Sequence, residues 1–344
     1  MTDAKAALTE FSRTIAPLDA MPLWERAESA MRPGTDCVPR LWRYSAIRPK
    51  LLEAARLISK EQAERRVLVL ENPRLRGTTF ITTTLYAGLQ IILPGEIANS
   101  HRHTPSALRF LVEGEGGYTV VGGERADMQA GDFIVTPAWS WHAHGNDGNG
   151  PVVWMDGLDT PFSRFFGATF RENYAGTENA PARANGESLA AFGANLLPVD
   201  YRPEQAAASP LLRYPYERTR SALHRLSHEP PHPAHGFKMR YANPANGGHP
   251  FPTMAVFMQL LPAGFAGQAY RSTDGTVFSV VEGSGTVEIA GETFAFAPRD
   301  IFVVPSWTSC RLKASDDVVL FSFSDRAAQE ALGFWREELC ERIP

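Results

Sequence analysis

Four histidines form two closely spaced pairs, His101 with His103 and His142 with His144. Alternate residues of a β-strand point to the same face, so His101 and His103 can project together into a barrel. After a hairpin, His142 can return beside them. Three neutral imidazoles can hold a borderline divalent metal and leave coordination positions open. The spacing therefore predicts a metal site made by His101, His103 and His142.

Such a site suits a substrate that chelates the metal. An octahedral ion with three histidine ligands keeps three open positions. A 2-hydroxy carboxylate can occupy two of them through two oxygens, and O2 can take the third. The ion stays dipositive, so it attracts an anion and lowers the pKa of a bound phenol. The ligand set is therefore compatible with a site that binds O2 and a chelating anion together.

Arg109 is the candidate that would hold such an acid. It follows His103 by an even number of residues, so we expect it to point into the same barrel. A buried arginine needs a charged partner, and its guanidinium pairs with a carboxylate in bidentate fashion. We predict that Arg109 binds the substrate carboxylate. The alternative is a salt bridge to a nearby acidic side chain.

The sequence around these residues is duplicated. Three blocks of the first half recur in the same order and at a nearly constant offset, namely 89–95 as 258–264, 112–116 as 281–285 and 132–137 as 300–305. Agreement of three blocks at one offset indicates two copies of one β-domain. Short β-rich runs separated by glycine and proline turns are typical of a sandwich or barrel.

The second copy lacks the histidines. By the offset, the three ligand positions become Tyr270, Ser272 and Cys310. We therefore expect one metal per chain and a second barrel with a structural role. The other histidines are expected to be surface or structural residues; they are His224, His228, His232, His235 and His249.

The metal-binding half resembles the cupins. The positions that match the two cupin motifs with their spacing intact are Gly95, His101, His103 and Gly114, then Gly131, Pro137, His142 and Asn146. Ala107 replaces a glutamate common in the first motif, so the ligand set has no carboxylate, and Trp139 replaces a motif glycine. The resemblance implies a mainly β bicupin with two double-stranded β-helix, or jelly-roll, barrels.

These patterns divide the chain into five parts. We predict an N-terminal helical segment at 1–64, a metal-binding cupin at 65–160, a linker and packing segment with some helix at 161–250, a metal-free cupin at 251–325 and a C-terminal helix at 326–344. The run 78–85 is expected to be β-rich. The C-terminal helix is expected to be capped by Ser324 or Asp325, with apolar residues on one face as far as Leu339.

A wider resemblance covers nearly the whole chain. The segments 22–25, 42–44, 64–70, 101–110 and 321–325 resemble the gentisate 1,2-dioxygenase family, with its salicylate and 1-hydroxy-2-naphthoate relatives. The family implies Fe(II), a homo-oligomer that is often a tetramer, and O2-dependent cleavage between the carboxyl-bearing and hydroxyl-bearing ring carbons. With gentisate this reaction gives maleylpyruvate.

The resemblance also implies the substrate contacts. His144 would hydrogen-bond the substrate oxygens and act as a general base. The other positions that match the family near the substrate or along the pocket are Arg65, Tyr86, Gly88 and Gln90. Asp156 is a further candidate, as a residue that orients these groups. The turn at 139–141 is expected to complete the pocket.

Composition excludes several classes of protein. A formal net charge of −4 argues against a nucleic-acid surface, and 44% hydrophobic with 21% charged residues is typical of a globular protein. The sequence has no apolar signal-peptide region and no predicted membrane span. Three widely spaced cysteines form no disulfide framework, which fits a cytoplasmic enzyme.

Three alternatives remain open at this point. A non-catalytic bicupin for storage or ligand sensing is one, although such proteins usually lose their ligand histidines. A cupin enzyme with another metal is the second, because copper, nickel and zinc bind three histidines more tightly than iron does. Within the family, gentisate is favoured because its para hydroxyl donates electrons. Salicylate, a substituted salicylate or 1-hydroxy-2-naphthoate is the alternative substrate.

Overall fold

The computed structural model describes residues 2–25, 33–59, 62, 65–176, 182–201 and 208–340. The chain divides into two compact units, 1–34 and 35–344. In the first unit, helix α1 (Thr2–Ile15) is followed by two 3-10 turns, Ala16–Leu18 and Leu23–Glu25. The rings of Phe11 and Trp24 stack within this unit. None of the helices in the described ranges is long and apolar enough to cross a membrane.

The second unit is mainly β. Its described helices are α2 (Tyr44–Leu57), α3 (Thr160–Phe165), α4 (Glu187–Phe192), α5 (Tyr216–Leu226) and α6 (Arg326–Ala331). The strands up to residue 214 are β1 (Arg40–Trp42), β2 (Arg66–Val69), β3 (Tyr86–Ile92), β4 (Ile97–His103), β5 (Ala107–Glu113), β6 (Gly117–Val121), β7 (Glu124–Asp127), β8 (Phe133–Thr136), β9 (His142–Asn146), β10 (Val152–Leu158), β11 (Arg171–Asn173) and β12 (Arg213–Tyr214). The later strands are β13 (Phe237–Arg240), β14 (Ala255–Leu261), β15 (Ala269–Ser272), β16 (Thr276–Glu282), β17 (Gly285–Ile289), β18 (Glu292–Phe296), β19 (Ile301–Val304), β20 (Cys310–Ala314), β21 (Val318–Ser324) and β22 (Glu337–Cys340).

These strands form two barrels of the same plan. In the described chain, the first barrel combines a sheet of order β12-β8-β5-β10-β3-β2 with one of order β11-β4-β9-β6-β7. The second combines β1-β19-β16-β21-β14-β13 with β18-β17-β20-β15-β22. The repeated sequence blocks become the equivalent strands β3 and β14, β5 and β16, and β8 and β19. The predicted bicupin fold is confirmed.

The duplication extends to the register of single residues. In the first barrel, His101 of β4 lies opposite His142 of β9. In the second, Tyr270 of β15 lies opposite Cys310 of β20. The offset read from the sequence thus identifies residues that occupy the same place in the two barrels.

One apolar core joins the barrels. Phe110 of β5 and Phe321 of β21 are buried, and their rings stack with centroids 4.0 Å apart. Gly157 of β10 faces Phe323, and a Cβ at this glycine would lie 2.7 Å from the Phe323 ring. The absence of a side chain at Gly157 therefore permits the close approach of the two six-stranded sheets.

Segments outside the predicted cupin boundaries complete the sheets. β1, from the predicted N-terminal segment, pairs with β19 of the second barrel. The Asp300 carboxylate fixes this junction by accepting hydrogen bonds from Arg43 Nη1 and from the backbone N–H of Tyr44, each at 2.9 Å. From the predicted linker, β11 and β12 extend the first barrel and β13 extends the second. These strands satisfy backbone groups that sheet edges would otherwise leave unpaired.

The run 78–85, expected to be β-rich, is a loop that precedes β3. Thr79 adopts a φ of 70°, and its backbone N–H donates to the Glu71 carboxylate at 2.7 Å. Ile81 and Leu85 are fully buried in the core. The apolar pattern of this run therefore reflects burial of a loop, and the strand prediction was wrong.

The predicted helix over 326–344 was also wrong beyond its first turns as far as residue 340, and 341–344 lie outside the described residues. α6 ends at Ala331, and Gly333 follows with a φ of 74°, a conformation that favours glycine and ends helices. Leu339 lies in β22, opposite Tyr270 of β15, so the chain turns back to pair with the second barrel. Asp325 occupies the N-cap position but makes no side-chain cap; its carboxylate accepts the backbone N–H of Gly275 at 2.9 Å.

Candidate active site

The three predicted ligands converge inside the first barrel. β4 supplies His101 and His103, and β9 supplies His142. One ring nitrogen of each lies within 4.8 Å of the others, and no other three His, Cys, Asp or Glu side chains of the described residues are placed in this way. The histidine triad predicted from the sequence is therefore confirmed as a group that could hold a metal ion.

Two of the rings are oriented for coordination by backbone carbonyls. His103 Nδ1 lies 2.7 Å from the carbonyl oxygen of Pro105, and His142 Nδ1 lies 2.9 Å from that of Ser140. A carbonyl only accepts, so Nδ1 carries the proton and Nε2 keeps its lone pair. His142 Nε2 is buried and has no hydrogen-bond partner in the described part of the chain. A divalent metal would satisfy this nitrogen, so the donor set fits such an ion.

The third ring has a different partner. Nη2 of Arg65 lies 2.6 Å from Nδ1 of His101 and 3.1 Å from the carbonyl oxygen of Asn99. A guanidinium only donates, so Nδ1 of His101 is the acceptor and the proton of the neutral ring lies on Nε2. Coordination through Nε2 needs the opposite tautomer. We therefore expect Arg65 to release His101 when a metal binds there.

All three rings are held neutral. Burial, followed by the charge of Arg65, lowers the pKa of His101 to about 2. Burial lowers the pKa of His103 to about 4, with Arg109 adding to the shift. Burial and then Arg109 hold the pKa of His142 well below its ordinary value. At neutral pH, therefore, none of the three rings has to lose an extra proton before a metal binds.

A cavity of about 250 Å³ opens beside His101 and His103. The predicted substrate residues that line it are Arg65, Tyr86, Gln90, Arg109 and Asp156. Thr79, Thr160 and Arg164 also line it and were not predicted. Arg164 belongs to α3, inside the segment predicted as a linker, and donates to the carbonyl oxygen of Thr78 at 2.8 Å. No sequence motif marked these three residues.

Arg109 makes the salt bridge that was the alternative to a carboxylate clamp. Its Nε lies 3.5 Å from Oδ1 of Asp156, and its Nη1 donates to the hydroxyl of Thr136. Trp154 Nε1 donates to the same Asp156 oxygen at 3.0 Å. Burial raises the pKa of Asp156 to about 6, although Arg109 opposes the shift. The arginine is thus fixed beside the cavity, and its Nε is in an ion pair with Asp156 without making a hydrogen bond in the described chain.

His144 lies deeper in the barrel than the triad. It is fully buried, its ring is 5.7 Å from that of His142, and it is not among the residues that line the cavity. Its Nδ1 is hydrogen-bonded to the hydroxyl of Thr119, which lies opposite it in register. Its Nε2 is buried with no partner among the described residues. A contact of His144 with substrate stays a prediction.

Comparison with known proteins identifies the family. Residues 88–158 match the model of the cupin domain. The chain is 50% identical over 331 residues to Gentisate 1,2 dioxygenase 1 of Aquipseudomonas alcaligenes, with 95% of each chain covered. The chain belongs to the gentisate 1,2-dioxygenase family. It is therefore an enzyme of the ring-cleaving dioxygenase class.

Relatives with other substrates in their names are also similar. The chain is 34% identical to 1-hydroxy-2-naphthoate 1,2-dioxygenase of Nocardioides sp. (strain KP7), over 97% of this chain and 88% of the relative. Salicylate 1,2-dioxygenase from Pseudoaminobacter salicylatoxidans, solved as adducts with gentisate, superimposes with a TM-score of 0.91 at 34% identity. That match covers 98% of this chain and 94% of the solved one.

In this family member, Gly88 affects the shape of the cavity through its contacts with Val67 and Tyr86. A Cβ at Gly88 would lie 2.6 Å from Val67 Cγ1 and 2.9 Å from Tyr86 Oη. Both Val67 and Tyr86 line the cavity, whereas Gly88 does not. The missing side chain makes room for the Tyr86 hydroxyl and the Val67 methyl group, so Gly88 shapes the cavity wall indirectly.

The turn at 139–141 does not line this cavity, contrary to the prediction. The guanidinium of Arg102 lies 4.3 Å from the ring centroid of Trp139 and 4.6 Å from that of Trp141. Arg102 separates His101 from His103 on β4, so its side chain points away from the barrel interior. The two tryptophans therefore contact β4, the strand that carries His101 and His103, on its outer face through cation–π contacts with Arg102.

Proposed function

We propose that this protein is an Fe(II)-dependent dioxygenase that cleaves gentisate between its carboxyl-bearing and hydroxyl-bearing ring carbons with O2, giving maleylpyruvate. The observation that supports the proposal most is a neutral histidine triad beside a cavity that contains Arg65 and Arg109. A cation site flanked by two guanidiniums suits an anionic acid that chelates through neighbouring oxygens. The names of the relatives support gentisate or a similar acid.

The chain's own groups would bind and orient the substrate. Fe(II) held by His101, His103 and His142 would supply chelation and the electron exchange that lets O2 react with an aromatic ring. Arg109, fixed by Thr136 and Asp156, would take the substrate carboxylate.

His144 would accept a proton from a hydroxyl group of the substrate. For Nε2 to accept a proton from a hydroxyl of the substrate, Nδ1 must carry the ring proton and donate it to Oγ1 of Thr119. The hydrogen bond between His144 and Thr119 permits this tautomer. Since His144 does not line the cavity of this structure, the role depends on the substrate reaching more deeply than the cavity shows.

The second candidate substrate class lies within the same reaction. Relatives carry salicylate, 5-aminosalicylate and 1-hydroxy-2-naphthoate in their names. All of these acids keep the adjacent carboxyl and hydroxyl or phenol oxygens that the site would chelate. Specificity among them would depend on the cavity wall at Tyr86 and Gln90.

An oxygen-consumption assay tests the proposal. The protein is loaded with Fe(II) without oxygen and then given gentisate, salicylate, 5-substituted salicylates or 1-hydroxy-2-naphthoate. We expect gentisate to consume one equivalent of O2. If gentisate is inert while another acid reacts, the substrate assignment fails and the reaction class stands. If none reacts, the dioxygenase proposal itself fails.

We further propose that the protein is a cytoplasmic homo-oligomer, a tetramer by resemblance to its family. Exposed aromatic side chains on and after α3 support an association surface, with Phe165, Phe166 and Phe170 each more than half exposed. The three cysteines of the chain are free, as expected in a reducing compartment. Light scattering of the purified protein measures the oligomeric state directly.

A further inference from the structure

The second barrel keeps a cavity where the first barrel holds its histidines. The cavity measures about 40 Å³, and Tyr270 and Cys310, the equivalents of His101 and His142, line it. His235, expected to be a surface or structural residue, also lines it and is partly buried. Burial lowers the pKa of His235 to about 2 and raises that of Cys310 to about 12, so both side chains are uncharged at neutral pH.

Two side chains are aimed into this cavity without a full set of partners. Lys238 of β13 and Gln259 of β14 lie opposite each other in register, so their side chains share a face of the sheet. Gln259 is only 1% exposed; its Nε2 donates to the carbonyl oxygen of His235 at 2.7 Å, while its Oε1 is buried with no partner in the described chain. Buried acceptors are normally hydrogen-bonded, so a ligand that donates a hydrogen bond to this oxygen would be favoured.

Lys238 has no salt-bridge partner among the described residues, although the Asp274 carboxylate lines the same cavity and opposes the lowering of the lysine pKa. No carboxylate of the described residues lies within ion-pair distance of its ammonium group, which instead sits 4.5 Å from the ring centroid of Phe257. Burial lowers the pKa of Lys238 to about 8. An anion in the cavity would offset the cost of burying this ammonium group.

Several other polar groups of the cavity already have hydrogen-bond partners. The Asp274 carboxylate accepts Trp335 Nε1 at 3.0 Å, and the Tyr270 hydroxyl donates to Glu337 at 2.6 Å. Both lining arginines have carboxylate partners, as Arg271 pairs with Glu338 and Arg326 with Glu330. The ammonium group of Lys238, which has no salt bridge, and Oε1 of Gln259, which has no donor in the described chain, are therefore available to a ligand.

We propose that the second barrel binds a small oxyanion that carries one O–H donor, with its anionic oxygens on Lys238 and its hydroxyl on Gln259 Oε1. Hydrogencarbonate and a short 2-hydroxycarboxylate such as glycolate share this chemistry. Since one water needs about 10–15 Å³ of such volume, a cavity of about 40 Å³ has room for about three waters, and the covalently bonded atoms of these two small anions lie closer together than separate waters do. An aromatic acid is too large, so this site is not a second copy of the substrate site.

Binding of the anion would stabilise the whole enzyme. The second barrel shares one apolar core with the first, through contacts such as that between Phe321 and Phe110. A ligand that binds only the folded barrel raises the free energy of unfolding with its concentration. The site would thus couple the stability of the catalytic barrel to a small metabolite, without contacting the histidine triad.

Thermal unfolding and titration calorimetry on the full-length protein test the proposal. Hydrogencarbonate and glycolate are the two probes, acetate is the matched acid without an O–H donor, and chloride is the control for ionic strength. We expect a saturable rise in Tm with hydrogencarbonate or glycolate and weaker binding of acetate. The probe with the lower Kd identifies the source of the ligand. No saturable binding of either probe, or equal binding of acetate, overturns the proposal.

Substitutions in the cavity distinguish a loss of anion binding from a loss of folding. Lys238→Met should weaken binding at least about tenfold, because a charge-assisted contact is lost, whereas Lys313→Met, at an exposed lysine of β20, should not. Gln259→Glu places a carboxylate opposite Lys238 and should raise the Tm without ligand while abolishing binding. A folded Lys238→Met protein that binds normally, or a Gln259→Glu protein that still binds the probe, refutes the site.

Discussion

Arg109 and Asp156 lie directly opposite each other on the paired strands β5 and β10, with Nε of the arginine 3.5 Å from Oδ1 of the aspartate. Both side chains are almost completely buried beside the cavity. Burial raises the pKa of Asp156 to about 6, so the group is mostly ionised near neutral pH, but Nε of Arg109 has no hydrogen-bond partner in the described chain. A second carboxylate, from a substrate, would complete the pairing.

The first prediction concerns this arginine. Arg109→Ala should lower kcat/KM for gentisate roughly 30- to 1,000-fold, the equivalent of about 2–4 kcal/mol of transition-state stabilisation, because a buried charge-assisted contact is lost. Steady-state oxygen consumption measures the change, and elemental analysis checks that the metal is retained. Arg225→Ala, at an exposed arginine of α5, is the matched control and should be neutral. An Arg109→Ala enzyme with metal bound and kcat/KM unchanged would leave this arginine only its ion pair with Asp156.

The second prediction is one metal per chain, bound by the first barrel. His101→Ala should abolish both metal binding and oxygen consumption while the protein still folds, because it removes one of three ligands. Elemental analysis gives the stoichiometry, and circular dichroism reports the fold. His228→Ala, which changes an exposed histidine, should bind one metal like the unchanged chain. Two metals per chain would show that Tyr270, Ser272 and Cys310 form a second site after all.

The third prediction concerns substrate size. Gly88→Ala should displace Tyr86 and Val67 into the cavity, because the new methyl group would otherwise lie within 3 Å of both. We expect 1-hydroxy-2-naphthoate to lose more kcat/KM than gentisate, by about 1–3 kcal/mol, a typical penalty for one methyl-sized group. Comparing the two substrates on one preparation measures the ratio. Gly34→Ala, where a Cβ meets nothing within 4 Å, is the control. Equal losses for both acids would mean that this wall does not select by size.

The fourth prediction concerns pH and a carboxyl group that connects the barrels. Asp159 accepts the backbone N–H of Ser106 at 2.7 Å and the hydroxyl of Thr253, and burial raises its pKa from 3.8 to about 6. The folded protein therefore holds this proton more tightly than the unfolded chain does. Asp159 should make the free energy of unfolding fall as pH rises from about 4 to about 6, and its contribution should level off above that.

Denaturant unfolding at several pH values measures this effect. Asp159→Asn cannot titrate, so its free energy of unfolding should fall less steeply in the same window, by up to about 1.4 kcal/mol per pH unit for one proton. Asp316→Asn, at an exposed carboxyl group, should follow the unchanged protein. Identical slopes for Asp159→Asn and the unchanged protein would contradict the prediction.

The residues that lie on strand interiors could be predicted from the sequence. His101, His103 and Arg109 follow the two-residue period of a strand, and the structure places all three beside one cavity. The constant offset between the copies identified Tyr270 and Cys310 as the equivalents of two ligands, which the strand register confirms. The two-residue period of a strand and the offset between the two copies can both be read directly from one sequence.

Features that depend on long-range packing could not be predicted. Nothing near Arg164 or Thr119 in the sequence shows that one lines the cavity and the other bonds His144. The segment that forms β22 was expected to be helix. The spacing of its apolar residues does not show that β15 offers an unpaired strand edge for it to bind. Gly88 was expected near the substrate or along the pocket, whereas its contacts show that it accommodates Tyr86 and does not line the cavity itself.

The pairing of β1 with β19 has a consequence for synthesis on the ribosome. Arg43 and its partner Asp300 are 257 residues apart in the sequence, so most of the polypeptide must emerge before β1 can dock. Contacts of this separation slow folding, because a long loop has to close before they form. The first barrel can assemble early, while β1 remains unpaired until translation is nearly finished. A nascent chain stalled before β19 would therefore expose β1 to chaperones or to neighbouring chains.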